Sequence, residues 1–172
     1  APELEATEQE VTGKIGLDYR FNESWMAYTS ISRGYRAGSF NGGVYYVERP
    51  LATAYAAPEY ITAYEIGAKA DLLDGQVRLN SAAFYYDYTD QQFINVVGIS
   101  NFLENAGASS IAGIEAELWA RLTERLTVQA GIGYLETEYS ELSLANTETL
   151  GDPDDEVDLS GNELISAPKI NF

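Results

Sequence analysis

The chain of 172 residues carries 27 acidic and 10 basic side chains, a formal net charge of -17, and neither histidine nor cysteine. Thiol nucleophiles, disulfides, zinc sites, haem ligation and Ser-His-Asp catalysis are therefore all excluded, and no cofactor is expected. A charge of this sign repels phosphate backbones, so no nucleic-acid partner is expected, while an apolar fraction of 45% argues against an acidic disordered chain.

The longest unbroken apolar run, Ala82 to Tyr86, is far too short for a transmembrane helix. The first residues, Ala-Pro-Glu-Leu-Glu, lack the basic and apolar regions of a signal peptide, which reads as a mature protein or an excerpt. Tyrosine is unusually frequent, with 13 against 6 Phe and 2 Trp, and tyrosine suits a place that is apolar at one end and wet at the other.

From Val11 to Phe21 the odd positions are Val, Gly, Ile, Leu, Tyr and Phe and the even ones Thr, Lys, Gly, Asp and Arg, which predicts a two-faced strand. Asn22-Glu23-Ser24 reads as a hairpin loop leading into a second strand from Trp25 to about Arg36, with Ile15 opposite Ile31, Leu17 opposite Thr29 and Tyr19 opposite Ala27. Asp74-Gly75 is a two-residue type I′ turn signal. Pairing outward from it sets Leu72 on Val77, Ala70 on Leu79, Ile66 on Ala83 and Tyr64 on Tyr85, with Asp71 on Arg78 across the other face. A third hairpin, turning at Thr123-Glu124-Arg125, sets Leu122 on Leu126, Ala120 on Val128, Ala116 on Ile132 and Ile114 on Tyr134.

Tight turns close each hairpin, whereas the links between hairpins are long: Ala37 to Glu59, Asn95 to Ala108 and Ser140 to Ala167. Short turns at one end and long loops at the other are the habit of a transmembrane β-barrel. Tyr64 and Tyr85 stand nine residues from their turn, roughly 23 Å of height for tilted strands, close to an apolar band of about 25 Å with aromatic girdles. Phe21, Trp25 and Tyr19 would serve the short-turn rim and Tyr64, Tyr85 and Tyr134 the other. A soluble sheet with one buried face would alternate too. It would not place every long link on one side, and its core would want more volume than Ala68, Ala70, Ala83, Ala116, Ala120 and Ala130 supply.

Several stretches carry a family resemblance: Arg33-Gly-Tyr-Arg-Ala-Gly-Ser-Phe-Asn41; Pro58-Glu59 followed by Tyr64-Glu-Ile-Gly-Ala-Lys69; Phe84-Tyr-Tyr-Asp-Tyr-Thr-Asp90; Asn105-Ala-Gly107; Ile111-Ala-Gly-Ile-Glu-Ala-Glu117; and Ala167-Pro168. In this order and spacing they resemble the barrel of TonB-dependent outer-membrane receptors over nearly the whole chain. The resemblance implies a 22-stranded barrel with an N-terminal plug, of which residues 1–172 would be a partial barrel domain: about six long strands and the start of a seventh, all-β and antiparallel. It implies active import of a scarce solute such as a siderophore-iron complex, with the TonB energy-transducing complex, outer-membrane lipid and lipopolysaccharide as partners, in the outer membrane of a Gram-negative bacterium. A passive pore or a surface-binding adhesin module is the alternative, and no enzymatic role is expected.

Charged side chains opposite the apolar face are expected to line the lumen: Lys14, Asp18, Glu65, Lys69, Asp71, Arg78, Glu115 and Glu117. Gly67 is expected to leave room for whatever fills it. The first long link offers Arg36, Asn41, Tyr45, Tyr46, Arg49 and Tyr55 as stacking and hydrogen-bonding groups for a bulky solute. The acidic run Asp152 to Asp158 lacks the ligand order of an EF-hand and reads as a solvated loop, with weak divalent-ion bridging as a minor alternative. Residues 1–10 and 136–163 hold four and ten acidic side chains and no basic ones. The charge thus sits at the ends and in the outer loops, around a nearly balanced wall.

Overall fold

The computed structural model describes residues 5–41, 55–97, 100–146 and 156–172. Among these residues ten strands form: β1 (Gly13–Arg20), β2 (Trp25–Arg36), β3 (Ser39–Phe40), β4 (Tyr55–Ala56), β5 (Glu59–Leu72), β6 (Val77–Val97), β7 (Ser100–Thr123), β8 (Leu126–Ala145), β9 (Glu156–Asp158) and β10 (Ile170–Asn171). The main antiparallel sheet runs β1-β2-β5-β6-β7-β8-β10, β9 pairs with β8, and β3 pairs with β4 separately. Six long strands and the beginning of a seventh are thus present, as expected. No helix occurs among the described residues.

The registers follow from side-chain alternation. Ile15 pairs with Ile31, Leu17 with Thr29 and Tyr19 with Ala27, while Leu72 pairs with Val77 and Tyr64 with Tyr85. A slip of one residue would carry every apolar side chain to the polar face, which is why the pattern alone sets the pairing. At the first turn the Asn22 side chain accepts from the amides of Ser24 and Trp25 at 2.8 and 2.9 Å, an Asx-type closure. At the second, Asp74 and Gly75 have φ of 55° and 78°, as a type I′ turn requires. The third turn departs from expectation. Thr123 pairs with Leu126 and the register shifts between Arg121 and Thr123, so Leu122 does not face Leu126 but sits in a bulge, and the turn tightens to Glu124-Arg125.

The outward face can be followed rung by rung. The row Leu17, Thr29, Ile66, Ala83, Ile114, Tyr134 and the next, Tyr19, Ala27, Ala68, Ser81, Ala116, Ile132, are continuous across the sheet. Toward the long links comes Ile31, Tyr64, Tyr85, Ala112 and Glu136, then a polar row of Arg33, Thr62, Asp87, Ser110 and Glu138. Apolar character therefore ends within one rung, at the tyrosines. Tyr134 lies one rung nearer the short turns than Tyr64 and Tyr85, so the boundary steps across the sheet as staggered, tilted strands require. Tyr19 and Phe21 meet edge to face, centroids 4.9 Å apart, at the short-turn rim.

Ile66, Ile114 and Ile132 are 61%, 60% and 61% exposed, and no second layer covers this face among the described residues. A water-soluble sheet would have to bury it, because each such side chain left in water forgoes about 1.5–3 kcal/mol. The well-buried residues lie mainly toward the long-link end instead: Ala56, Glu59, Gln92, Asn95, Phe102, Ser109, Thr137, Tyr139 and Leu142.

On the opposite face Gly67 does not hold open space, contrary to expectation. A Cβ there would meet Tyr28 ring atoms at 2.4 Å, because the Tyr28 ring already lies over the glycine. Gly67→Ala should therefore destabilise the barrel by about 1–3 kcal/mol through overpacking. Thermal melting should show the loss in the wild-type background and little of it in a Tyr28→Leu background.

Two of the long links are also more ordered than expected. The stretch from Asn95 to Ala108 is not a loose loop: β6 and β7 continue as a hairpin past a register shift between Tyr88 and Gln92, pairing from Gln92–Asn105 to Val97–Ser100. The link from Ser140 to Ala167 begins as strand, with β8 reaching Ala145, and its far part returns beside β8. There the Leu159 amide donates to the Leu142 carbonyl at 2.7 Å and the Gly161 amide to the Tyr139 carbonyl at 2.8 Å. Glu156 to Asp158 of the acidic run are strand β9, not free loop, and Asp152 to Asp155 lie outside the described residues.

Candidate functional site at the long-link rim

The strand ends converge on one buried carboxylate. Glu59 opens β5 directly after Pro58, and register places it opposite Arg36, the last residue of β2. Only 4% of Glu59 is exposed. Its Oε2 accepts from the Gln92 amide at 2.7 Å, and its Oε1 accepts from the Tyr88 hydroxyl at 3.2 Å and lies 3.5 Å from Arg36 Nη1. The Gln92 amide sits where the β6 ladder is interrupted by the bulge, with Asp90 at φ 54°, and Glu59 supplies the acceptor that the interruption removes.

Side-chain amides complete the rim. Gln92 Nε2 donates to the carbonyls of Ala37 and Ala57 at 3.2 and 2.8 Å. Asn105 accepts from the Ala57 amide at 2.7 Å and donates to the Ala57 carbonyl at 2.9 Å and the Asp90 carbonyl at 2.6 Å. Asn41 does the same to Leu103, donating to its carbonyl and accepting from its amide, both at 2.7 Å. Gln92 Oε1 is buried without a donor among the described residues. Beside this cluster lies an open, acid-rich hollow formed by Asp90, Glu104, Glu141, Glu156 and Asp158 with Asn105 and Ser160. Hydrogen bonds from Ser160 hold the Asp158 carboxyl below its ordinary value.

Of the six solute-contact candidates, Arg36 pairs with Glu59 while most of its side chain is exposed, Asn41 fastens the rim to β7, and Tyr55 packs on Phe40 with ring centroids 4.8 Å apart. Tyr45, Tyr46 and Arg49 lie outside the described residues. Lys14, Asp18, Glu65, Lys69, Asp71, Arg78, Glu115 and Glu117 all fall on the face opposite the apolar one. There Arg78 Nε donates to Asp71 Oδ1 at 2.7 Å, Lys69 lies 5.7 Å from the Tyr28 ring centre, and Phe84 stacks on Tyr86 at 4.9 Å.

Glu59, Tyr88, Gln92 and Asn105, spread between positions 59 and 105, do not stand out as a unit in the sequence. The signals for them were Pro58 fixing the start of β5, and Gln91-Gln92 breaking an otherwise aromatic strand.

Over residues 4–172 the chain matches the TonB dependent receptor-like, beta-barrel family. It is 26% identical over 161 residues to the probable TonB-dependent siderophore receptor PiuA of Acinetobacter baumannii, covering 92% of this chain and 21% of that protein. It is 25% identical over 165 residues to the metal-pseudopaline receptor CntO of Pseudomonas aeruginosa, covering 95% and 20% respectively. The fold superposes on the crystal structure of the ferric yersiniabactin uptake receptor FyuA from Yersinia pestis with a TM-score of 0.68 at 22% identity, over 94% of this chain and 22% of that one. On the siderophore receptor PiuA from Acinetobacter baumannii the TM-score is 0.69 at 21% identity, over 92% and 22%. The chain thus spans about a fifth of the length of the relatives it matches. With six registered strands, an uncovered apolar band and a match along nearly its full length, the chain belongs to the TonB-dependent receptor β-barrel family.

Proposed function

We propose that this chain is a section of the wall and outer vestibule of an outer-membrane receptor that imports a metal chelate of the siderophore type with energy delivered through TonB. The observation that carries the reading is the exposed apolar band, which ends in tyrosines and backs onto a charged face. Such a sheet is stable with lipid on one side and water or protein on the other. Lys14, Asp18, Glu65, Lys69, Asp71, Arg78, Glu115 and Glu117 then line the lumen. The tyrosine rim and the polar row above it meet the outer leaflet and its lipopolysaccharide. The long-link rim faces the medium, and Arg36, Tyr45, Tyr46, Arg49 and Tyr55 contribute to solute capture while Asn41 holds the rim in place. The chain's part is to bind and admit, with no covalent chemistry of its own.

The test is radio-iron uptake by cells of the source bacterium under iron limitation, using ferric hydroxamate, catecholate and mixed-ligand chelates as probes. Deleting the gene should abolish uptake of at least one chelate, and so should removing TonB. An Arg36→Ala, Tyr45→Ala, Arg49→Ala receptor should bind that chelate at least about tenfold more weakly. Unchanged uptake of every chelate in the deletion strain would contradict the reading.

A further inference from the structure

We propose that the arms of the β6–β7 hairpin, residues 91–97 and 100–107, and the two roots of the link between β2 and β5 form one mechanical unit, locked by the side-chain amides of Asn41, Gln92 and Asn105. The proposal goes beyond the transport reading and does not depend on it.

Three carboxamides supply the cross-tying hydrogen bonds. A carboxamide carries a donor and an acceptor side by side, so it can pair with a peptide group as a neighbouring strand would. Asn41 does this to Leu103 and Asn105 does it to Ala57, each through both a donated and an accepted bond. The loop root is thereby tied to the hairpin and the hairpin to the loop root, from opposite directions. Gln92 closes the ring: its Nε2 joins the first residue of the link, Ala37, to Ala57 near its return. Its backbone is held in turn by Glu59 of β5. Apolar packing runs in parallel, with Ala56 and Phe102 each 1% exposed and β4 packed on β7.

Asn41, Gln92 and Asn105 are thus positioning residues. A hairpin that projects past a bulge is free to tilt, and a link rooted on separate strands is free to splay. Cross-tying them means that ordering either one orders the other, so the entropy of fixing the rim is spent before a solute arrives. The hydrogen bonds of the three carboxamides join uncharged groups, so salt screens them less than it screens the Arg36–Glu59 pair, whose arginine is largely exposed.

Hydrogen exchange on the full-length receptor in detergent micelles tests the lock. Asn105→Ala should raise amide exchange about tenfold not only at Ala57 but at residues 38–41 and at Leu103, which Asn105 does not touch, while β5 and β6 between residues 62 and 86 stay protected. Asn41→Ala, a change at a loop root that leaves every sheet pairing intact, should do the reciprocal and expose the Ala57 amide. Asn105→Asp keeps the acceptor for the Ala57 amide but sets a carboxylate oxygen against the Ala57 and Asp90 carbonyls, and should release the lock at least as far as alanine does. A rise confined to each substituted side chain's own partners would overturn the proposal, as would an unchanged pattern or a uniform loss of protection through residues 62–86. No solute enters the experiment, so its failure and that of the transport reading are separable.

Discussion

Glu59→Ala is expected to destabilise the folded receptor by about 2–3 kcal/mol, whereas Arg36→Ala is expected to cost less than about 1 kcal/mol. The asymmetry follows from where each partner sits. The Arg36 side chain is 62% exposed and stands 3.5 Å from the carboxylate, so water and salt screen the pair. The Gln92 amide belongs to a residue only 8% exposed, lies at a break in the strand ladder, and has its acceptor in Glu59 Oε2 at 2.7 Å. Removing the carboxylate leaves a buried N–H without an acceptor and frees the Tyr88 hydroxyl, while removing the arginine leaves the carboxylate with both of those donors. Glu59→Gln should fall between, because an amide oxygen still accepts from Gln92 but without the charge that strengthens the bond. Denaturant unfolding of the three variants, refolded into the same micelles, checks the ranking. Equal losses for Glu59→Ala and Arg36→Ala would mean that the ion pair, not the buried amide, holds the rim.

The second large effect comes from neighbours on opposite faces. Thr29 and Ser30 are adjacent in β2, at mid-height. Thr29 lies between Leu17 and Ile66 on the apolar side, and Ser30 lies opposite Glu65 on the charged side. Thr29→Arg should destabilise the receptor in liposomes by about 2–4 kcal/mol, the depth-dependent penalty of a cation at the lipid face. Ser30→Arg should change stability by at most about 1 kcal/mol, since its guanidinium can meet the Glu65 carboxylate in a hydrated lumen. Urea titration in phosphatidylcholine vesicles measures both. In a soluble sheet the ranking would compress, because an arginine on an uncovered face can reach water.

The strand pairing was legible because the apolar face leaves one register per hairpin: Ile15 can meet Ile31, and Tyr64 can meet Tyr85, only if every other rung also agrees. Two-residue periodicity fails where a strand is enclosed on both faces or interrupted. The stretch from Gln91 to Val97 reads Gln-Gln-Phe-Ile-Asn-Val-Val, with Gln92 and Asn95 buried among loop roots and Phe93 turned to Tyr139, so no clean alternation marks it as strand. The irregularity at Asp90 and Gln91 also interrupts the alternation that the preceding strand carries. Gly67 was misread for a related reason. Sequence shows that the position lacks a side chain, but only the cross-strand register shows that the Tyr28 ring fills the space. At the rim, Arg36 and Tyr55 were visible as residue types suited to a solute. That Asn41 spends its amide on Leu103, and Glu59 its carboxylate on Gln92, depends on contacts between residues far apart in the chain.

Residues 1–172 contain no cysteine, so single thiols can be placed in this segment of a full-length receptor in which every cysteine outside it has been replaced by serine, and the central claim becomes directly measurable. Bimane-labelled cysteines at Thr29, Ser30, Glu65, Ile66, Ala82 and Ala83, in the full-length receptor reconstituted with brominated lipid, report which side chains touch acyl chains. If the apolar face is a membrane-spanning barrel wall, Thr29, Ile66 and Ala83 are quenched and Ser30, Glu65 and Ala82 are not. Uniform quenching, none, or the opposite alternation would contradict it.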